Sequence, residues 1–396
     1  MSLLIKGANI VTASGILEKQ EIEIASNKII SVGGTGRSGK EIITTDGLYV
    51  SAGFIDIHTH GAGGADYMDA TAEAFKTAGH ASGQNGVTTI IPTTLSANNE
   101  ELMDTFAVFS DIRGVEYEGA DMPGLHLEGP YFAPSQMGAQ DPKYIRNPVP
   151  EEYIPILNKC KYILRWSIAS ELEGALEFGS LLSKRGILPS IAHSDATLHE
   201  VYDAYNCGYR LVTHLYNCTS SMYTNRADEV RALGINEGVY LLDDMYAECI
   251  GDGIHVLPEM LFLTYKIKGP DRVVLCTDSM RAAGTKAEKS VLGSIKNGRE
   301  VYFADGVAKI MGTNITAASI ATGETLLKTA VQKAGIPLVD AVKMLSANPA
   351  HIMNLSDRGE LLPGKRADIT IFDEDMNIKA VIVGGRVIRN ELQSVS

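Results

Sequence analysis

Seven side chains able to bind a metal or move a proton stand at or just past the ends of short apolar runs: His58, His60, Glu128, His193, His214, His255 and Asp278. An ionisable group beside an apolar core carries a desolvation cost unless something satisfies it. Taken singly, each has a plainer reading. A lone histidine at a strand end is more often a hydrogen-bonded structural residue, and a lone Asp after a strand is commonly a helix N-cap. The set changes the balance, because four of the nine histidines and two carboxylates occupy such ends together, and a metal would satisfy them. His58 and His60 lie two apart in an extended segment, so their imidazoles share a face and can grip one ion. His193 and His214 can serve a second, and Glu128 has two oxygens with which to bridge both. Imidazole and carboxylate suit Zn, Fe, Mn, Co or Ni, and spacing does not choose among them. One or two divalent ions are therefore expected as cofactors. His80, His126, His199 and His351 read as structural, with His126 a possible outer partner of Glu128 two residues on.

The elements that must position these groups follow from hydrophobic patterning. GFIDIH, VTTIIPT, MPGLHLEGP, YILRWSIAS, GILPSIAHSD, YRLVTHLYN, AECIGDGIH and RVVLCTD are candidate strands. Helix-like segments such as ATAEAFKTAGHASGQ and ATLHEVYDAYNCG separate them, the latter stopping at Gly208. Eight alternating units with continuously apolar strands predict an α/β fold, a parallel (β/α)8 TIM-type barrel. In such a barrel the C-terminal strand ends converge on one face, which would bring the seven groups together. Both chain ends instead alternate like exposed strands, as in GILEKQEIEIA and KAVIVGGRVIRN, and neither can bury a sheet alone. They are expected to pair into a small, discontinuous β-sandwich of residues 1–50 and 357–396, with the barrel over 51–356.

Bulk properties exclude several classes. A net charge of −13 without a dense basic run argues against nucleic acid or an anionic membrane as partner. The five cysteines show no C-x-x-C spacing, and an odd count fits a reducing cytoplasm rather than a disulfide framework. The opening MSLLIKGANIVTASG lacks the form of a signal peptide, and no run approaches the length of a membrane span.

At these residues the chain resembles the metal-dependent amidohydrolase superfamily, and within it the N-acetylglucosamine-6-phosphate deacetylases. The resemblance rests on GFIDIHTHG at 53–61, HLEGP at 126–130, AHSDA at 192–196, THLYN at 213–217, DGIH at 252–255, TDSM at 277–280 and the closing LLPGKRADITIFD. It implies His58, His60 and Glu128 as ligands of one metal, Glu128, His193 and His214 as ligands of another, and Asp278 as the catalytic acid/base. It further implies that His255 holds the sugar or the amide carbonyl. Ala139, Gln140, Asn217, Cys218, Arg226 and the Met311-Gly312-Thr313 turn would line the sugar-phosphate site, with Arg231 as fallback for Arg226. A homodimer is implied, in which the phosphate-binding arginine reaches across from the partner. The chain departs from the family in two places. Gln140 stands where a histidine is usual after Gly138-Ala139, and Cys218-Thr219-Ser220-Ser221-Met222 follows HLYN where Ala-Met is usual.

The expected activity is hydrolytic deacetylation of N-acetylglucosamine 6-phosphate, with Gln140 setting which sugar epimer is accepted. The rivals are N-acetylgalactosamine 6-phosphate or a related N-acyl sugar phosphate as substrate, another amidohydrolase reaction, or a catalytically dead binding barrel. The last would need a broken constellation, and every central residue is present.

Overall fold

The computed structural model describes residues 2–34, 41–224, 230–392 and 394–395. Eight parallel strands follow one another around a barrel: Phe54–Thr59, Val87–Thr94, Leu125–Glu128, Ile163–Ile168, Leu188–Ile191, Leu211–Val212, Tyr246–Ile250 and Val273–Cys276. Each coincides with one of the apolar runs in the sequence. The second, VTTIIPTT, is buried along its whole length, as a strand covered on both faces requires. The last strand meets the first through a parallel bridge between Thr59 and Ser279. Flanking that bridge, the Asp278 N–H donates to the His58 carbonyl at 2.9 Å and the His60 N–H to the Ser279 carbonyl at 2.8 Å. This seam sets Asp278 beside His58 and His60.

The intervening helices start where the sequence provides caps. Thr71 accepts from the Ala74 N–H to begin Ala72–Gln84, whose Ala74, Phe75 and Ala78 turn inward at helical spacing. Thr197 and Glu200 form a reciprocal capping box at the start of Leu198–Asn206. Past its end Gly208 adopts φ +101°, a conformation glycine reaches without strain.

The two chain ends join in one nine-stranded sheet. Tyr49–Ala52 pairs with Ser2–Thr12 on one side and with Ile369–Phe372 on the other, which continues to Ile378–Val383 and Arg386–Asn390. Leu3, Ile5, Ile10, Ile24, Val50, Ile369 and Ile371 are among the residues of its own apolar core. A three-stranded antiparallel meander, Lys289–Leu292, Arg299–Ala304 and Val307–Ile310, follows the last barrel strand. The sequence reading assigned no strands there. Among the described residues, no helix is long and apolar enough to cross a membrane.

Candidate active site at the barrel mouth

His58, His60, Glu128, His193, His214 and Asp278 meet at the C-terminal end of the barrel around a cavity of about 320 Å³. Glu128 sits at the centre. Its Oε1 lies 3.1 Å from His58 Nε2, 3.2 Å from His214 Nε2 and 3.6 Å from His193 Nε2, and its Oε2 lies 3.5 Å from His60 Nε2. Asp278 Oδ1 is 3.2 Å from His60 Nε2 and 3.5 Å from His58 Nε2. Two triads that could hold an ion result, His58–His60–Asp278 and Glu128–His193–His214; a third such group, His58–Glu248–Cys276, shares His58. The backbone is strained at three of these groups: His193, His214 and Asp278 have φ of 45°, 30° and 46°, in the left-handed region that L-residues rarely adopt. Such positions persist only where the surroundings impose them, and they cluster at functional sites.

The donor set fits a divalent cation. His58 Nδ1 contacts Glu248 at 3.0 Å, His60 Nδ1 the Thr93 carbonyl at 3.3 Å, and His193 Nδ1 the Gln136 carbonyl at 2.8 Å. A proton placed on Nδ1 by these acceptors leaves each Nε2 as a bare lone pair aimed into the cluster, the arrangement metal-bound histidines adopt. His58 Nε2 is buried without an aligned hydrogen bond, and His193 and His214 bring their Nε2 atoms within 3.2 Å of each other. Burial would raise the Glu128 and Asp278 carboxyls, yet the surrounding histidines hold both below their ordinary values. Burial likewise opposes charge on His58, but Asp278 and Glu128 raise it well above a usual histidine. At His58 the carboxylates thus outweigh desolvation, whereas at His214 burial outweighs Glu128 and lowers the pKa.

A buried ion pair underlies the cluster, and the sequence reading missed it. Arg165 in the fourth strand and Glu248 in the seventh are both fully enclosed. Arg165 donates to Glu248 through both terminal nitrogens, and it also reaches Thr213 at 2.8 Å and Ser190 at 3.1 Å. Glu248 Oε1 in turn receives His58 Nδ1 and the His214 N–H at 3.2 Å, so it orients one ligand of each triad. The available signal was two opposite charges inside the apolar runs YILRWSIAS and AECIGDGIH. His126 is buried between Thr93 and Ser167 with its ring 4.8 Å from that of His58. Burial, reinforced by Arg165 and His58, keeps it well below the usual histidine value and hence neutral.

The sugar-site expectations divide. Ala139, Gln140, Asn217, Cys218 and His255 all line the cavity. Gln140 differs from expectation in what it touches: both ends of its amide are taken by the chain, through Glu128 Oε2 at 2.7 Å and the Ser96 N–H at 2.9 Å. His255 is similarly engaged, with Nδ1 2.5 Å from Asp252 and Nε2 2.9 Å from the Ala317 carbonyl. With an acceptor at each nitrogen, and despite burial, Asp252 raises its pKa. Met311, Gly312 and Thr313 are not among the residues that line the cavity. Thr313 folds its hydroxyl back onto the Ile310 carbonyl at 2.9 Å, and Ile315, Thr316, Ala317 and Ala318 supply the wall instead. Arg226 lies outside the described residues. Arg231 is exposed, in a two-residue strand paired with Tyr223–Thr224 away from the cavity wall. No Lys or Arg is among the described residues lining the cavity.

Residues 49–388 match the model of the Amidohydrolase family. The chain is 30% identical over 393 residues to an N-acetylglucosamine-6-phosphate deacetylase of Lysinibacillus sphaericus, covering 98% of both chains. It is 26% identical to an N-acetylgalactosamine-6-phosphate deacetylase of Escherichia coli O157:H7, covering 98% of this chain and 99% of that one. A mutant N-acetylglucosamine-6-phosphate deacetylase of Mycobacterium smegmatis, solved in complex with N-acetylglucosamine 6-phosphate, superimposes with a TM-score of 0.89 at 28% identity over 98% of this chain and 100% of that one. The family match spans the barrel and the strands Tyr49–Ala52, Ile369–Phe372 and Ile378–Val383 of the terminal sheet, and the chain belongs to the amidohydrolase family.

Proposed function

We infer that the chain hydrolyses N-acetylglucosamine 6-phosphate to glucosamine 6-phosphate and acetate. The observation that carries this reading is a histidine–carboxylate cluster at a barrel mouth, in a chain similar to deacetylases of that substrate along nearly its full length. Amide hydrolysis needs an activated water, stabilisation of the developing oxyanion and a proton for the departing amine. His193, His214 and Glu128 would hold one ion, and His58 and His60 with Asp278 beside them a second; there a divalent metal supplies an acidified water and polarises the acetyl carbonyl. Asp278, kept ionised by His58 and His60 against the effect of burial, takes the proton of the attacking water and returns it to the amine nitrogen. His255 braces the 315–318 wall through Ala317 rather than offering a free nitrogen to the sugar.

With no Lys or Arg on the described wall, the phosphate charge falls to Arg226, either of this chain or, in the homodimer that the resemblance implies, of a second copy. Five free cysteines support a cytoplasmic location. A panel of N-acetyl sugar phosphates assayed for acetate release tests the reading. The 6-phosphate of N-acetylglucosamine should react fastest, and the unphosphorylated sugar poorly. Faster turnover of the galactosamine epimer would reassign the substrate. Arg226→Ala should lose the preference for phosphorylated sugar while Arg231→Ala keeps it.

A further inference from the structure

We propose that Gln140 is a positioning residue for Glu128 rather than a reader of the sugar. The inference rests on the reading of Glu128 as a metal ligand. Ser96 follows the second barrel strand, and its backbone N–H can only donate, so the Gln140 carbonyl oxygen must be the end that faces it at 2.9 Å. That fixes the amide orientation and turns Nε2 onto Glu128 Oε2 at 2.7 Å, a bond to a charged acceptor. The loop itself is anchored: Arg299, from the three-stranded meander, donates to the backbone carbonyls of Ala139 at 3.1 Å and Gln140 at 3.3 Å. Gln140 is 5% exposed, so solvent does not compete for either end of its amide.

The consequence falls on the carboxylate. With Oε2 engaged by Gln140, Glu128 cannot swivel, and Oε1 stays turned toward the Nε2 atoms of His58, His193 and His214. An outer partner of this kind raises metal affinity by holding the ligand in place before the ion arrives. One N–H and one lone pair of the amide remain, but its two partners pin the side chain in an orientation set by Ser96 and Glu128 rather than by a ligand.

The test is equilibrium dialysis of metal-stripped protein against Zn²⁺, comparing wild type with Gln140→Met, which keeps the length and loses the donor. Gln140→Asn, which keeps the amide but is one methylene short, serves if the methionine variant does not fold. Either variant should bind the ion roughly 10–100-fold more weakly, the usual loss for an outer-shell partner. The metal-free protein should also melt lower, because the buried Ser96 N–H and the Glu128 carboxylate each lose a partner, so the metal affinity rather than the melting temperature carries the test. At saturating metal, kcat should fall while KM for the sugar phosphate stays within about twofold, and the ratio of kcat/KM for the two epimers should not move. A merely structural role would lower the metal-free melting temperature and spare the affinity. Wild-type affinity in a folded variant, or a changed epimer ratio with affinity intact, would overturn the proposal. If wild type itself bound no Zn²⁺, the metal reading of Glu128 would fail first, and this inference with it.

Discussion

The two ends of the barrel both carry a cavity lined in part by charged side chains, and the larger one is at the wrong end. At the N-terminal ends of the strands, Tyr246, Arg272, Lys343, His351, Arg358 and Lys365 help to line a cavity of about 500 Å³, against about 320 Å³ at the mouth. Each cation there already has a carboxylate: Lys343 pairs with Asp271, Arg358 with Asp121 at 2.7 Å, Lys365 with Glu360 at 3.2 Å and Arg272 with Asp244 at 3.3 Å. His351 stacks on Tyr246. At the mouth, six ionisable side chains converge closely enough to share an ion, His58 Nε2 and His214 Nδ1 lack a hydrogen-bond partner, and three of those residues sit on strained backbone. Arg272 Nε is also unpartnered at the far end, so what marks a working site is the convergence of metal-ligating groups on strained backbone; cavity size does not.

That contrast can be broken most directly by removing metal. Chelation followed by desalting should abolish acetate release by at least about three orders of magnitude, since a bound ion provides both the acidified water and the carbonyl polarisation. Added divalent ion should restore it, and elemental analysis should find one to two ions per chain. Full turnover in a metal-free preparation would make the mouth no different in kind from the other end.

Asp278→Asn removes a proton carrier while keeping shape and the backbone bond to His58. Turnover should fall by roughly 10²–10⁴, the range of general acid–base assistance, with the ion held by Glu128, His193 and His214 retained. Near-normal kcat at normal metal content would move the acid/base role to another group.

Glu248→Gln probes the layer between the two ends. It leaves the Arg165 guanidinium fully buried without its counter-charge, so unfolding in denaturant should show a loss of about 3–5 kcal/mol. The same change loosens His58 and should weaken metal binding by roughly 10-fold or more. Stability equal to wild type would mean that the pair is not worth more than its desolvation.

The smallest effect belongs to the far end. Arg272→Ala and Lys343→Met each break a partly exposed ion pair, worth about 0–1 kcal/mol. kcat/KM should stay within about twofold of wild type. A large loss of activity from either change would show that the second cavity communicates with the mouth.

Much of this site was legible because its chemistry sits at strand ends. The apolar runs located all eight barrel strands, and their terminal residues included every member of both ligand triads. His58 and His60 could be assigned to one face from the two-residue alternation alone. The meander over 289–310 escaped notice because its alternation is short and partly exposed, with little to separate it from loop. Gln140 was recognisable as unusual, but its partners lie in two other segments, at Ser96 and Glu128.

The sequence by itself determined which groups terminate the strands and in what order they recur, because hydrophobic periodicity and residue type are local properties. Only the tertiary structure decided which of them touch. Asp278 meets His58 and His60 because the last strand closes on the first, and that register is set across the seam rather than within either segment. Glu248 and Arg165 became legible as a pair for the same reason: two charges in separate apolar runs satisfy each other only once the barrel brings their strands to a common interior, where burial makes the contact obligatory.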